Sequence, residues 1–535
     1  MAALRILVTD EVDPEGVALL TAVPEFKVDV VPTLAPDELL QRIGDYDAFV
    51  GRSATRINAE LLTRAKKLKV VGRAGVGVDN VDLEKATELG VAVINAPAGN
   101  TIAVAELFFG TLIALLRQLP QAATSMRDGR WDRSKLMGHE LKGRTLGIIG
   151  VGRIGTEVGR RAHAFGIDVI GYDPYIGDDR FTALRVRRCG ALEDLLAAAD
   201  IVTVHTPLTD ETRGMLGERE LGQLKRGAIV VNMARGGIVD DKALLASLEA
   251  GHLAGAVLDV YEAEPLAADH PLRRAPNVLL TPHMGASTYE AQRNVAVDVA
   301  EAVRDALLSG ELSRSLNVAT VSRDEWKELQ PSMMAAQRAA AVARAVLAGQ
   351  GAREIRRVSL KCGPGVINGS DVLLSSATLG VLEGVIESDR LNLINARTLA
   401  EMRGLELSVR ESDALGHPNA VEVCLAAGKS ELAVEGVAVP GTPPRLTRIG
   451  DFYVDVPPKK TLIVLTNNDV PGVIGHVGTL LGEARINIAS YHQSRVARGG
   501  RALAAISVDD PVPEPVRQRL LTLPDVLSAT VVTFR

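Results

Sequence analysis

The 535-residue chain is too long for one hydrophobic core, and at about 100 to 200 residues per domain it predicts three or four units. Its 47% hydrophobic and 24% charged residues exclude a disordered or collagen-like chain. A net charge of −6 and a pI near 5.9 argue against a general nucleic-acid or anionic-membrane binder, which normally carries a basic face.

The N-terminal run MAALRILVTD passes directly into a strand-like apolar segment and lacks the regions of a signal peptide. Short apolar runs (ILVTD, KVDVV, DAFVG, KVVGRAG, VAVINAP) then alternate with amphipathic stretches, which predicts a parallel sheet covered on both faces. The most apolar helical stretch, Ile102–Leu116, is short for a membrane span and contains Glu106. From Arg144 to Pro282 the alternation strengthens, with TLGIIG, DVIGYD, IVTVHT, AIVVNM, GAVLDV and VLLTPH as strands of a second α/β unit. A helical run, Tyr289–Leu308, leads to an Ala-rich helix in MMAAQRAAAVARAVLAG and to a Pro-rich hinge spanning VPGTPPRL and VPPKK. From Thr461 the order is βαββαβ, a ferredoxin-like unit. Cys189, Cys362 and Cys424 stand far apart without metal-ligand spacing, so they read as buried thiols in a reducing, cytoplasmic setting, and no metal site is expected.

Gly150-Val151-Gly152-Arg153-Ile154-Gly155 follows the strand TLGIIG and opens a helix. In that context the three glycines allow the tight turn, the close approach of a pyrophosphate, and helix-on-strand packing. The helix start offers unpaired N–H groups and partial positive charge to phosphates. Asp173 ends the next strand, about 20 residues on, where a carboxylate accepts both ribose hydroxyls and repels a 2′-phosphate, so NAD is favoured over NADP. Arg180 nearby could soften this preference, although its ordinary reading is an exposed loop arginine.

Three further strand ends carry Arg235 (NMARGGIVD), Glu264 (DVYEAEP) and His283 (TPHMGAST). Removing hydride from a hydroxylated carbon requires a base for the hydroxyl proton, and histidine suits it. A carboxylate beside it, Glu264, stabilises the imidazolium, and a guanidinium, Arg235, clamps a substrate carboxylate. Each residue alone has an ordinary surface reading, but together on one sheet they describe a site.

RAGVGVDNVD, LGIIGVGRIG, HTPLTDETRGML, NMARGGIVDDKAL, LDVYEAEP and TPHMGAST resemble the signatures of the D-isomer-specific 2-hydroxyacid dehydrogenases. The resemblance implies that His283 is the general acid/base, Glu264 its partner and Arg235 the substrate clamp. It also implies that Arg153, Ile154, Asp173, Thr206, Ala234 and Asp259 join Gly150, Gly152 and Gly155 in holding NAD, with Arg235 and His283 bordering it. A split first domain follows: a flavodoxin-like substrate domain of residues 1–98 and 287–318, into which a Rossmann-type domain, 99–286, is inserted. Gly99 and Gly285 lie near the crossings as hinge positions.

Arg52, Ser53, Arg73, Gly75, Val76 and Asn100 are expected to form the far wall of the cleft, where two arginines at loop starts suit a substrate with a second anionic group. The tail resembles that of the long-form D-3-phosphoglycerate dehydrogenases, with an α+β intermediate domain (319–455) and an ACT domain (456–535). That implies D-3-phosphoglycerate as substrate, a homo-oligomer (dimer or tetramer), and L-serine as effector at Asn467, Asp469 and Asn487, although the motif's arginine is replaced by Val470. A D-glycerate or hydroxypyruvate dehydrogenase, with 2-oxoglutarate reduction as main or side activity, remains an alternative, as does an NAD-sensing binding protein.

Overall fold

In the computed structural model, residues 3–534 are described apart from 276, 319–320, 384, 387–389 and 440. The first sheet contains β1 (Leu4–Val8), β2 (Phe26–Val30), β3 (Ala48–Gly51), β4 (Val70–Arg73) and β5 (Ala92–Asn95). These strands are parallel in the order 2-1-3-4-5, the flavodoxin-like arrangement. Successive residues alternate between two cores, with Ile6, Val8 and Val50 on one face and Leu7, Phe49 and Val71 on the other. The helix Tyr289–Ser309 returns to this sheet and supplies Val295, Val299 and Val303 to the first of these cores. Gly72 makes the approach possible, because a Cβ there would stand 2.7 Å from side-chain methyls of Val299 and Val303.

The second sheet contains β6 (Thr145–Ile149), β7 (Asp168–Tyr172), β8 (Arg187–Arg188), β9 (Ile201–Val204), β10 (Ala228–Asn232), β11 (Leu253–Leu258) and β12 (Val278–Leu280). All are parallel, in the order 12-11-10-9-6-7-8, so the chain reverses direction across the sheet between β6 and β9. Such a switch point opens a crevice at the carboxyl ends of the strands. Six of these strands are the six apolar runs. The seventh, β8, is two exposed arginines at the sheet edge and gives no hydrophobic signal. The helix Thr101–Leu116 is apolar because it is packed inside this unit, and no single helix among the described residues is long and apolar enough to cross a membrane.

The third sheet is mixed, containing β13 (Ile355–Cys362), β14 (Glu406–Glu411), β15 (Ala420–Ala427), β16 (Ser430–Val437), β17 (Arg445–Ile449) and β18 (Phe452–Val456). The proline-rich segments therefore flank an antiparallel pair, β17 and β18, instead of forming a bare hinge. The Ala-rich helix starts at Arg323, well before the alanines, because Ser322 and Glu325 form a reciprocal capping box. Pro331 lies inside it and forgoes one backbone hydrogen bond.

The last sheet contains β19 (Thr461–Asn468), β20 (Ile488–Arg495), β21 (Arg501–Val508) and β22 (Val526–Thr533), all antiparallel in the order 20-21-19-22. With the helices Val473–Glu483 and Glu514–Leu521 this is the expected βαββαβ unit. Its helix-free face contributes Leu462, Val464, Leu503 and Val532 to the core that runs through the helix Arg323–Gly349 back to the first sheet.

That long helix and the helix Ser370–Leu382 meet at Gly380, where a Cβ would stand 2.0 Å from the Gln337 carbonyl oxygen. Gly380→Val should destabilise the protein by about 1–3 kcal/mol through forced separation of the helices, read as a lowered calorimetric Tm. An unchanged Tm would show that the helices yield without cost.

Candidate active site

The strands β10, β11 and β12 are neighbours and parallel, so the loops leaving their carboxyl ends converge. They carry Arg235, Glu264 and His283. His283 Nδ1 lies 2.7 Å from Glu264 Oε2. A carboxylate only accepts, so the shared proton sits on Nδ1 and the free Nε2 is left as the basic nitrogen. Glu264 is itself held, its Oε1 accepting the Tyr261 N–H at 3.0 Å. The buried Tyr261 hydroxyl reaches the Thr281 carbonyl at 2.8 Å, and burial pushes its pKa up to about 12, so it remains a donor.

Asp259, 1% exposed, fixes the histidine loop. Its Oδ1 accepts from the Thr281 hydroxyl (2.6 Å) and the Met284 N–H (2.8 Å), and its Oδ2 accepts from the Gly285 N–H (2.8 Å). His283 is thereby held at φ +52°, a conformation an unsupported loop would abandon. Among the described residues Oδ2 takes a single donor.

Arg235 leaves this sheet and crosses to the first unit, where its Nε donates to Asp79 Oδ2 at 3.0 Å. Its guanidinium covers Gly77, where a Cβ would stand 2.0 Å from Nη2. The Arg73 guanidinium lies over Gly75 in the same manner. Burial first, then the charges of Arg235 and Arg52, push the Arg73 pKa down to about 10, against Asp79 and Asp10. Arginine keeps its proton at working pH, so the depression reflects first a guanidinium held largely out of water and second the neighbouring cations, a setting an anion would relieve. The Arg52 loop is fastened by Asp10, which accepts the Arg52 N–H (2.8 Å) and the Thr55 hydroxyl (2.7 Å), and by the Asn80 amide on the Arg52 carbonyl (3.0 Å). The Asn95 amide donates to the Val76 carbonyl. Ser53 is exposed at this rim, and Asn100 Oδ1 is buried without a partner among the described residues.

At β6 the chain turns through Gly150 with φ +88°, a left-handed conformation that favours glycine. A Cβ at Gly155 would stand 2.2 Å from the Gly150 carbonyl oxygen, whereas one at Gly152 would meet nothing within 4 Å. The first contact packs the helix Arg153–Ala164 onto the turn, and the second leaves an open side where a pyrophosphate fits. Ile154 is half-buried and Arg153 exposed at the start of that helix. Asp173 Oδ2 accepts the Val151 N–H and its Oδ1 the Tyr175 N–H, both at 3.0 Å, which orients the carboxylate beside the turn. Thr206 Oγ1 is buried without a partner among the described residues, as expected of a ligand contact. Ala234 is tied through its N–H to Asn232. Arg180 lies exposed on the short helix Asp178–Ala183 and not in a loop.

Residues 109–285 match the family described as D-isomer specific 2-hydroxyacid dehydrogenase, NAD binding domain, and residues 461–525 match the ACT domain. Over 532 residues, 99% of this chain and 100% of its counterpart, the sequence is 37% identical to the D-3-phosphoglycerate dehydrogenase of Methanocaldococcus jannaschii. The chain belongs to the D-3-phosphoglycerate dehydrogenase family. The Bacillus subtilis member is likewise 37% identical over 531 residues, 99% of both chains. Among solved structures, the NAD-dependent formate dehydrogenase from Staphylococcus aureus in complex with NAD superposes with a TM-score of 0.51 at 27% identity, covering 58% of this chain and 97% of that one. As in the family, the dinucleotide domain binds NAD.

The three ACT-domain residues expected to hold an effector, Asn467, Asp469 and Asn487, do not meet within one chain. Asp469 accepts from Arg495 (2.9 Å) and the Gly499 N–H (3.1 Å) at one end of the sheet. Those contacts, the backbone one first, hold its carboxyl below the usual range. Asn467 is buried beside it with Oδ1 unpartnered among the described residues. Asn487 donates to Asp509 at the other end, a strand's length of about 25 Å away.

Sequence reasoning missed the supporting groups, namely Asp79, Asp10, Asn80, Tyr261 and Thr281. Asp79 stood in the quoted run RAGVGVDNVD, and an acid in a loop that carries an arginine was the available clue.

His283→Ala should lower turnover at least a thousandfold while NAD affinity, read by fluorescence titration, changes little. His205, the other strand-end histidine, is held neutral by burial, with its pKa pushed down to about 4 from 6.5. Because the folded form binds fewer protons, the stability it contributes is full above pH 6.5 and falls as the pH drops toward 4. Between pH 7 and 5 that loss should be about 2 kcal/mol in urea denaturation and be absent in His205→Asn. Equal losses in both proteins would exclude His205 as its source.

Proposed function

We propose that the chain oxidises D-3-phosphoglycerate to 3-phosphohydroxypyruvate with NAD, the first step of serine biosynthesis. The observation that carries this reading is the set of three arginines, Arg52, Arg73 and Arg235, close enough for the charges of Arg52 and Arg235 to act on Arg73, at the cleft that His283 and Glu264 border. A phosphate and a carboxylate on one small substrate match that excess positive charge, while a simple 2-hydroxy acid would leave part of it uncompensated. In this assignment residues 1–98 and 287–318 bind the substrate, residues 99–286 bind NAD, and residues 319–455 and 456–535 form the intermediate and ACT domains. The boundary at 319 lies outside the described residues.

His283 Nε2 accepts the proton of the C2 hydroxyl, and Glu264 stabilises the imidazolium that results. Arg235 turns from Asp79 to the substrate carboxylate and polarises the adjacent oxygen as the carbonyl develops. Arg73 and Arg52 hold the phosphate, with the Gly75-Val76 backbone and Asn100 lining the same wall. Bound at the glycine turn and Asp173, NAD supplies the hydride acceptor. Closure about Gly99 and Gly285 excludes water from the cleft.

Serine fits the ACT domain as an inhibitor bound between two copies, one supplying Asn467 and Asp469 and the other Asn487. A homo-oligomer is also supported by Trp131 and Met137 on the dinucleotide unit, 77% and 80% exposed and apolar. The free thiols of Cys189, Cys362 and Cys424 suit a reducing cytoplasm; of these Cys424 is only partly buried.

Purified protein with D-3-phosphoglycerate and NAD should form NADH in an assay that removes product. D-glycerate, which lacks the phosphate, should show kcat/KM lower by a hundredfold or more. Arg73→Gln should raise KM for phosphoglycerate at least tenfold and alter D-glycerate oxidation far less; equal effects on both substrates would place the phosphate elsewhere. A flat activity curve across a serine titration would remove the effector assignment.

A further inference from the structure

Residues 390–395 lie between the helix Ser370–Leu382 and the helix Ala396–Glu401, and their side chains reach across to the first unit. There they meet the carboxyl ends of two short helices, Ala59–Arg64 and Leu83–Glu88. Arg390 donates through Nη2 to the Ala65 carbonyl at 2.6 Å and through Nε to the Lys66 carbonyl at 3.3 Å, just past the first of them. At the second, the Asn392 amide donates to the Gly90 carbonyl at 2.7 Å and the Asn395 amide to the Glu88 carbonyl at 3.3 Å. The asparagines also close the segment on itself, for Asn395 Oδ1 accepts the Asn392 N–H and Asn392 Oδ1 the Ile394 N–H, both at 2.9 Å. Gly90 admits them, since it turns at φ +68° and a Cβ there would stand 2.6 Å from Asn392 Nδ2. Asn395 is 1% exposed.

The last carbonyls of a helix have no partner within it and carry partial negative charge, so amide and guanidinium donors suit them. Each of these two helices begins at a loop of the cleft. The first follows the Arg52 loop, where Asn58 accepts the Leu61 N–H, and the second follows the loop that runs from Arg73 past Asp79, where Asp82 accepts the Lys85 N–H. The loops are joined to each other as well: the Ile57 N–H donates to the Asn80 carbonyl at 2.8 Å, the Asp82 N–H to the Ile57 carbonyl at 2.9 Å, and the Asn80 amide to the Thr55 carbonyl at 2.6 Å. Six helical residues span only about 9 Å, so a displacement at one end reaches the other. Hydrogen bonds weaken steeply off their axis, so donors fixed on the carboxyl ends resist such a displacement. We propose that Asn392 and Asn395 are positioning residues for the substrate: seated on these helix ends, they hold the loops that carry Arg52 and Arg73 and let the intermediate domain set how tightly the cleft binds its anion. The proposal rests on the substrate assignment above for its kinetic readout alone.

Steady-state kinetics and hydrogen exchange of the full-length protein test this on Asn392→Asp, which keeps the acceptor for the Ile394 N–H and loses the donor to Gly90. KM for D-3-phosphoglycerate is expected to rise about fivefold while kcat and KM for NAD stay within about twofold, because His283, Glu264 and the glycine turn belong to the other unit. Amides of residues 52–57 and 74–82 should exchange faster, and those of residues 150–156 as in the parent. Arg390→Gln, which acts on the other helix, should move the same quantities in the same direction and keeps the test decisive should the first variant fold poorly. The proposal is overturned if faster exchange is confined to residues 88–95 and 390–395, if KM for phosphoglycerate is unchanged, or if kcat and NAD affinity fall in step with it, as a merely structural contact would require. Exchange does not depend on which acid the cleft takes, so a wrong substrate would leave that result standing.

Discussion

A buried carboxylate, Asp259, holds the place where chemistry would occur. It receives two backbone N–H groups and one hydroxyl from the loop after β12, and so compels His283 into a left-handed conformation. Hydrogen bonds to a charged acceptor contribute about 1.5–3 kcal/mol each, enough together to hold a strained residue in position. Glu264 then fixes the imidazole from a second strand, and the Tyr261 hydroxyl ties that strand's loop back to the loop after β12. Adjacent parallel strands make this possible, since only their ends bring three distant loops to one point.

The cleft is governed by the opposite condition, an incomplete balance of charge. Asp79 neutralises part of the field from Arg52, Arg73 and Arg235 and links the two units through one ion pair. Asp79 is 71% exposed in its side chain, so water screens the pair and a better-matched anion can displace it.

The family resemblance is spread over nearly the whole chain, and one continuous apolar core joins its first, third and fourth sheets. The core that begins under β1 continues through the helix Arg323–Gly349 to one face of the last sheet. Glycines at close approaches, Gly72 and Gly380, let backbones come nearer than any side chain would allow.

By itself the sequence determined the strand runs, the glycine turn at Gly150, the βαββαβ ending, and the identities of Arg235, Glu264 and His283. Period-two and 3.6-residue patterns are local, and strand-end residues stand next to the turns that display them. It did not disclose β8, whose two arginines bury nothing, or the early start of the helix at Arg323, where a capping box outweighs composition. Nor did it show Asp79 against Arg235, Asp259 under His283, or the separation of Asp469 from Asn487. Tertiary structure alone decided these, because they depend on which strands lie side by side and which ends coincide. Arg235 and Asp79, 156 positions apart, came within hydrogen-bond distance only because two separate sheets are set against each other.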